Sequence, residues 1–407
     1  MGGNKQVWMY AFASVMVTIS TLGFGRMSYG ILMPYMKESL SLTYGQAGVL
    51  GTAASIGYLG LVLFAGIMAA KWGSKRLVIF GTLLVACGFF YLSTVQSFAV
   101  CLIGMVVLGI GTAFAYTPLV NIMVGWFPEK RGMMIGFLVS GLGLGTLISS
   151  LLIPLFTSWF SESGWRYLWI LYGLLSIISA VAAHFILRDP PIPLLKNKNN
   201  RDSLIRDVYL NNKILLVAII YGLIGFAYLI PQSFLFSFIL EAGINQYTAG
   251  QIMALGGLMS IFSGPLWGSV SDKIGRKKSL LFTLFIGAGA MLIPILFPVL
   301  IGFVVSQLLW GITVVGMLSL IQALSTEQIH SSYSPIALGY VTVFFAVGQL
   351  LGPGVGGWMI DSFGGIPPAL LLCCGLLFSA FLLSIKLDGE GVKKPLISQN
   401  LKQPTEG

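Results

Sequence analysis

Residue 26 is an arginine set about 19 residues into an apolar stretch, GFGRMSYG. At the centre of a helix crossing a bilayer an arginine costs ~2.5–3.5 kcal/mol on insertion scales. Such a cost is met by a watery cavity or an acidic partner. No Asp or Glu lies in the middle of any apolar stretch; the nearest acids, Glu38 and Glu241, belong near stretch ends. A guanidinium presents a planar fork of donors that matches a carboxylate. The chemistry expected of Arg26 is therefore recognition of an anionic group on a ligand. The competing reading is a structural arginine that bonds carbonyls.

Helical spacing selects its neighbours. Tyr221, Gly225, Tyr228 and Gln232 share one face of a later stretch, Tyr116 and Asn121 interrupt a fourth apolar run, and Tyr29 lies one turn beyond Arg26. Tyr29, Tyr116, Asn121, Tyr221, Tyr228 and Gln232 are thus the candidate ligand contacts, with Gln322 and Gln349 behind them. His184 and His330 fall near stretch ends. Cys87, Cys101, Cys373 and Cys374 all lie inside apolar stretches and read as small packing residues, neither a metal site nor a disulfide framework. The chain has no His-Glu-x-x-His, no paired intramembrane Asp and no phosphate-binding Gly-x-x-x-x-Gly-Lys-Ser/Thr loop. Enzymatic and nucleotide-driven roles are disfavoured, and no cofactor or metal is expected.

The elements that must position these residues are membrane spans. Of 407 residues, 56% are hydrophobic and only 9% charged, against about 25% charged in soluble domains. A chain this apolar needs lipid as its solvent. Twelve spans are expected near 7–34, 44–70, 77–95, 98–124, 133–157, 166–187, 213–239, 247–268, 279–297, 299–323, 335–359 and 367–386. The first reads as a retained helix, not a signal peptide. The net charge of +10 suggests nucleic acid until its placement is examined. Lys71, Lys75, Arg76, Lys130, Arg131, Lys273, Arg276, Lys277 and Lys278 fall on one side, with the cluster at 188–213; Lys37 and Arg166 are left on the other. That is the positive-inside pattern, and it puts both termini in the cytoplasm.

The chain is also duplicated. GSVSDKIGRKK at 268–278 has a worn copy, GIMAAKWGSKR, 202 residues earlier. Gly66, Lys71, Gly73 and Lys75 match Gly268, Lys273, Gly275 and Lys277, while Ala70 replaces Asp272. At the same offset Arg26 is matched by Tyr228 and Gly109 by Gly311. The expected organisation is a six-helix bundle at 1–187, a cytoplasmic linker at 188–212, a second bundle at 213–387 and a tail at 388–407. Parallel repeats of this kind place a substrate at their interface near mid-membrane.

These motifs, with WFPEKRGMMIGFLVSGLGLG at 126–145, resemble the major facilitator superfamily. Within it they resemble bacterial permeases related to the monocarboxylate and oxalate/formate transporters. The resemblance implies an all-α membrane protein of twelve spans in two pseudo-symmetric bundles. It implies that Asp272, Arg276 and Lys277 latch the halves in an outward-open state, a role the worn first copy puts in doubt for its own turn. Relatives of that branch hold their anion with a basic residue in the eighth span; here 249–268 and 335–359 contain no Lys or Arg, which disfavours a dianion.

The expected function is a monomeric secondary transporter in the cytoplasmic membrane, moving a small organic anion, a monocarboxylate, by alternating access. Proton or counter-anion coupling stays open. The alternative is an exporter of amphipathic or drug-like compounds, and it is disfavoured by the missing intramembrane acid that cation exporters use. Topology is testable directly. Alkaline phosphatase fused after residue 407 should be inactive in a bacterial host, and the same enzyme fused after Ser41 should be active; the reverse pattern would refute the charge reading.

Overall fold

The computed structural model describes residues 2–190, 208–329 and 334–387. All regular elements there are helices. In lipid every backbone polar group must be satisfied within the chain, which a helix does locally. Eleven helices are long and apolar enough to cross a membrane, and Tyr44–Val62 with Phe64–Trp72, bent by 50°, make a twelfth if taken as one span. His330 and most of the expected linker and tail lie outside the described residues.

The first span is composite. Helix α1 (Gly2–Thr18) continues into a π-helical stretch, Ile19–Met27, and then α2 (Tyr29–Ser39). The Ser28 N–H donates to the Gly23 carbonyl, five residues back. A π stretch is uncommon and is found mostly at functional sites; here it carries Arg26. The remaining helices of the first half are α3 (Tyr44–Trp72), α4 (Ser74–Ser93), α5 (Phe98–Trp126), α6 (Arg131–Phe160) and α7 (Gly164–Ile186). Those of the second half are α8 (Asn212–Glu241), α9 (Gln246–Ile274), α10 (Arg276–Leu296), α11 (Leu300–Glu327), α12 (Ser334–Phe363) and α13 (Pro367–Ile385).

The duplicated turn folds the same way twice. Gly73 has φ +93° and Gly275 φ +92°. Each ends one helix and starts the next, and each donates its N–H to the carbonyl four residues back, Ala69 and Ser271. An L side chain is strained at that φ, so glycine is required in both copies. The acid missing at position 70 has a replacement from elsewhere. Asp189, just beyond α7, accepts the Lys75 N–H at 2.8 Å. A carboxylate there meets the free donors at the N-terminus of α4.

The two halves meet through α3 against α12, α6 against α9, and α2 against α8. Approach is close enough that a Cβ on Gly30 would sit 1.7 Å from the Gln232 carbonyl oxygen. The hydrogen bonds between halves lie from mid-depth to the end remote from the basic turns. Asp361, near the end of α12, accepts the N–H groups of Tyr44 and Gly45 at 3.0 and 2.6 Å and so caps α3 from the other half. The Tyr44 hydroxyl donates to Glu241. Gln246 Oε1 accepts from Tyr35 and Thr157 at 3.0 and 3.2 Å. Thr52 donates to the Leu350 carbonyl at 3.0 Å. Among the described residues no such bond joins the halves at the basic end.

Asp361→Ala should therefore weaken this end selectively. The lost cap is worth about 0.5–1 kcal/mol at an exposed position. A lower Tm in detergent is expected, with Asp361→Asn intermediate, because the amide oxygen still accepts one N–H. An unchanged Tm in both variants would remove Asp361 from the closure.

Candidate substrate site around Arg26

The π stretch turns Arg26 inward, where it is half-buried. Its Nη2 donates to Ser55 Oγ at 3.1 Å and to Gln349 Oε1 at 3.2 Å. Its guanidinium carbon lies 5.5 Å from the centre of the Tyr58 ring. Ser55 and Tyr58 are three residues apart on α3 and so share a face. Gln349 comes from α12 in the other half. Arg26 thus bridges the halves at mid-depth through neutral groups. Among the described residues it has no carboxylate partner, and Nη1 and Nε make no hydrogen bond. A cation held by dipoles and a π face, with part of its fork unused, is equipped to take an anion.

Tyrosines surround it. Tyr58 and Tyr228 lie within electrostatic reach of Arg26, and Tyr116 and Tyr221 extend the group. The Tyr221 ring stacks on Phe345 at 4.3 Å, and its hydroxyl accepts from Gln322 at 2.7 Å. The Tyr228 hydroxyl is 3.5 Å from the Met27 sulfur. Gln232 donates to the Met27 carbonyl at 3.0 Å. Two small cavities open here. One, about 20 Å³, is lined by Arg26, Gly30, Gly51, Met105, Gln232 and Pro353 among others. The other, about 60 Å³, is lined by residues that include Met27, Thr146, Tyr228, Gln232, Gln307 and Trp310. Gln232 borders both.

Of the residues expected from sequence, the structure gathers Arg26, Tyr116, Tyr221, Tyr228 and Gln232. It places two elsewhere. The Tyr29 hydroxyl is spent on the Ala47 carbonyl at 2.7 Å, tying α2 to α3. Asn121 is half-buried on α5, five residues nearer the basic end than Tyr116 and, like Tyr116 and Tyr221, lines neither cavity. Ser55 and Tyr58 were missed, although they are polar breaks in an apolar run at helical spacing. Gln349 ranked as a minor candidate and is a direct partner of Arg26.

The three latch residues do not reach across the halves. Arg276 pairs with Glu327 at 2.6 Å, and Lys277 donates to the Ile385 carbonyl at 2.7 Å. Asp272 is exposed and makes no hydrogen bond among the described residues. His184 is also exposed, with its ring against Phe185.

The chain is 24% identical to the oxalate:formate antiporter of Oxalobacter formigenes, over 96% of this chain and 94% of the antiporter. It is 24% identical to monocarboxylate transporter 12 of Mus musculus, over 92% of this chain and 84% of the transporter. Among solved structures, a bacterial homologue of the human lysosomal transporter Spinster, inward-facing and unoccupied, superposes with a TM-score of 0.76 at 16% identity, covering 94% and 97% of the two chains. At that identity the likeness speaks for the fold. A sequence profile of the Major Facilitator Superfamily matches residues 15–300 and 248–404, nearly the whole chain; with its repeated turn and its helical architecture, this protein belongs to that superfamily.

Proposed function

We propose that the protein is a secondary transporter that carries a small monocarboxylate across the cytoplasmic membrane by alternating access. Its two halves, 1–187 and 213–387, act as six-helix bundles joined by a cytoplasmic loop at 188–212, with both termini cytoplasmic. One observation carries the reading: Arg26 sits at mid-depth between the halves, held by neutral groups alone and with part of its fork uncommitted. In low dielectric an unbalanced cation is a strong attractor for an anion. The substrate carboxylate takes the free edge of the guanidinium. The Tyr58 and Tyr228 phenols stand near enough to donate to its oxygens.

The relatives support the class of substrate, since their names assign oxalate, formate and monocarboxylates to them. The neutral surroundings favour one negative charge, because a second would have no partner. The bonds between halves at the end remote from the basic turns make this the inward-facing form in our reading. Asp272, Arg276 and Lys277 then act in the other form, when the basic ends of the halves close. Arg276 and Lys277 exchange their present contacts within the second half for contacts across it. Coupling runs through the substrate's own carboxylate proton or through exchange for a second anion.

Thermal stabilisation of purified protein by formate, acetate, lactate, oxalate and a cationic amphipath tests the reading. A monocarboxylate should raise the Tm of the wild type. Arg26→Lys should bind it at least tenfold more weakly, since a point charge replaces a fork, and Arg26→Ala should not respond. Stabilisation by the cationic compound alone, equal in both variants, would overturn the anion assignment and favour an exporter.

Gln349→Leu separates anion binding from bridging. It removes the acceptor from the second half while leaving the guanidinium in place. Carboxylate binding should persist within about threefold, and transport in vesicles should slow, because a neutral hydrogen bond spanning the moving interface is lost. Loss of binding as large as that of Arg26→Ala would show that Gln349 acts on the ligand itself.

A further inference from the structure

The two cavities are the same place in the two halves of the duplicated chain. Six pairs of residues that line them correspond under the shift of 202 positions. Arg26 answers to Tyr228, Met27 to Leu229, and Gly30 to Gln232. Gly51 answers to Met253, Ala54 to Gly256, and Met105 to Gln307. In each pair one member lines the cavity beside Arg26 and the other lines the cavity beside Tyr228. The duplication therefore made one pocket twice, and divergence gave the copies different chemistry. The first holds a cation where the second holds a phenol, and the second holds an amide where the first holds a thioether.

Gln307 is only 4% exposed, it lines the cavity, and among the described residues its side chain makes no hydrogen bond. Its amide is therefore open to a ligand, with donors on Nε2 and an acceptor on Oε1. Its Oε1 stands where Gly256 leaves room: a Cβ on that glycine would be 2.0 Å away. Around it Met27, Leu142, Met253 and Val314 form apolar walls. Ser260 and Thr146 give their hydroxyl protons to the Gly257 and Leu142 carbonyls, which leaves their oxygens as acceptors. Gln232 borders this cavity and the one beside Arg26, so the two are neighbours.

We infer that the cavity at Gln307 is a second subsite of the substrate pocket, which takes the body of the anion held by Arg26 and selects one that carries a carbonyl or hydroxyl on an otherwise apolar carbon chain. The inference rests on the reading of Arg26 as the anion site. The Gln307 Nε2 donates to the substrate oxygen, and its Oε1 accepts from a hydroxyl where one is present. Water satisfies the amide when the pocket is empty. A site that hydrogen-bonds a ligand oxygen discriminates against the analogue lacking it, because the buried amide is then left unpaired. The substrate class narrows to oxo- and hydroxy-substituted monocarboxylates.

The experiment uses full-length protein in detergent and matched acids: pentanoate against 4-oxopentanoate, and hexanoate against 5-oxohexanoate. Kd is read from thermal shifts. In at least one pair the oxo acid should bind wild type several-fold to about tenfold more tightly than its parent. Gln307→Met, which installs the residue found at the matching position 105, should abolish that preference and leave the parent acid within about twofold. Gly256→Ala gives a second test that keeps the amide but displaces it, and it should also erase the preference. The unliganded Tm reports that each variant is folded. Arg26→Ala should weaken all four acids alike.

Parent acids that bind wild type with no oxo preference, or a preference that survives both Gln307→Met and Gly256→Ala, would overturn the subsite and leave the Arg26 reading standing. Acids that bind Arg26→Ala unchanged, or that fail to bind wild type, would overturn the Arg26 reading and the subsite with it.

Discussion

A guanidinium at mid-depth in a chain built for lipid is the constraint on which the centre of this molecule is organised. Arg26 cannot lose its charge, and carrying it at that depth is costly. The protein answers with neutral dipoles and a π face: Ser55 and Tyr58 from α3, and Gln349 from α12. A permanent carboxylate would have balanced the charge and closed the site. Leaving it unbalanced keeps a strong attraction for an anion and makes the halves share responsibility for one cation. The π-helical stretch Ile19–Met27 carries this side chain, and such stretches are found mostly at functional sites.

Duplication explains the rest of the interior. The turns at Gly73 and Gly275 keep the same left-handed backbone, so the architecture has been held in both copies. The residues facing the interface have diverged instead. Arg26 stands opposite Tyr228 and Met105 opposite Gln307, and two equivalent cavities acquired unequal chemistry. On the proposed reading, an asymmetric substrate, charged at one end and neutral at the other, fits such a pair better than it fits two identical pockets.

Charge at helix ends joins elements that are remote in sequence. Asp361 caps α3 from the opposite half, and Asp189 caps α4 from beyond α7. Each places a carboxylate at the positive end of a helix, where free N–H groups and the macrodipole favour it. The first strengthens a contact between halves; the second stays within one half. A carboxylate lost at position 70 thus did not leave the first turn without an acid.

The class of fold was legible from composition, from the length of the apolar stretches and from the turn repeated at an offset of 202. These depend on local solvation and on the chain's own periodicity, which any segment carries by itself. Arg26 was legible for the same reason, since a charge inside an apolar run is costly wherever the run ends up. Its partners were not. Which face of a helix meets which neighbour depends on rotation of about 100° per residue and on how the segments pack together, and neither is written in one segment. Tyr29 lies one turn from Arg26 and turns to Ala47, while Gln349 lies 323 positions away and touches it. The pairing of Gln307 with Arg26 across two matched cavities was decided at the same level. Sequence by itself determined a duplicated membrane protein with one exposed cost at its centre; tertiary structure decided which neutral groups meet that cost and what room is left beside it, because only packing brings the two halves to one point.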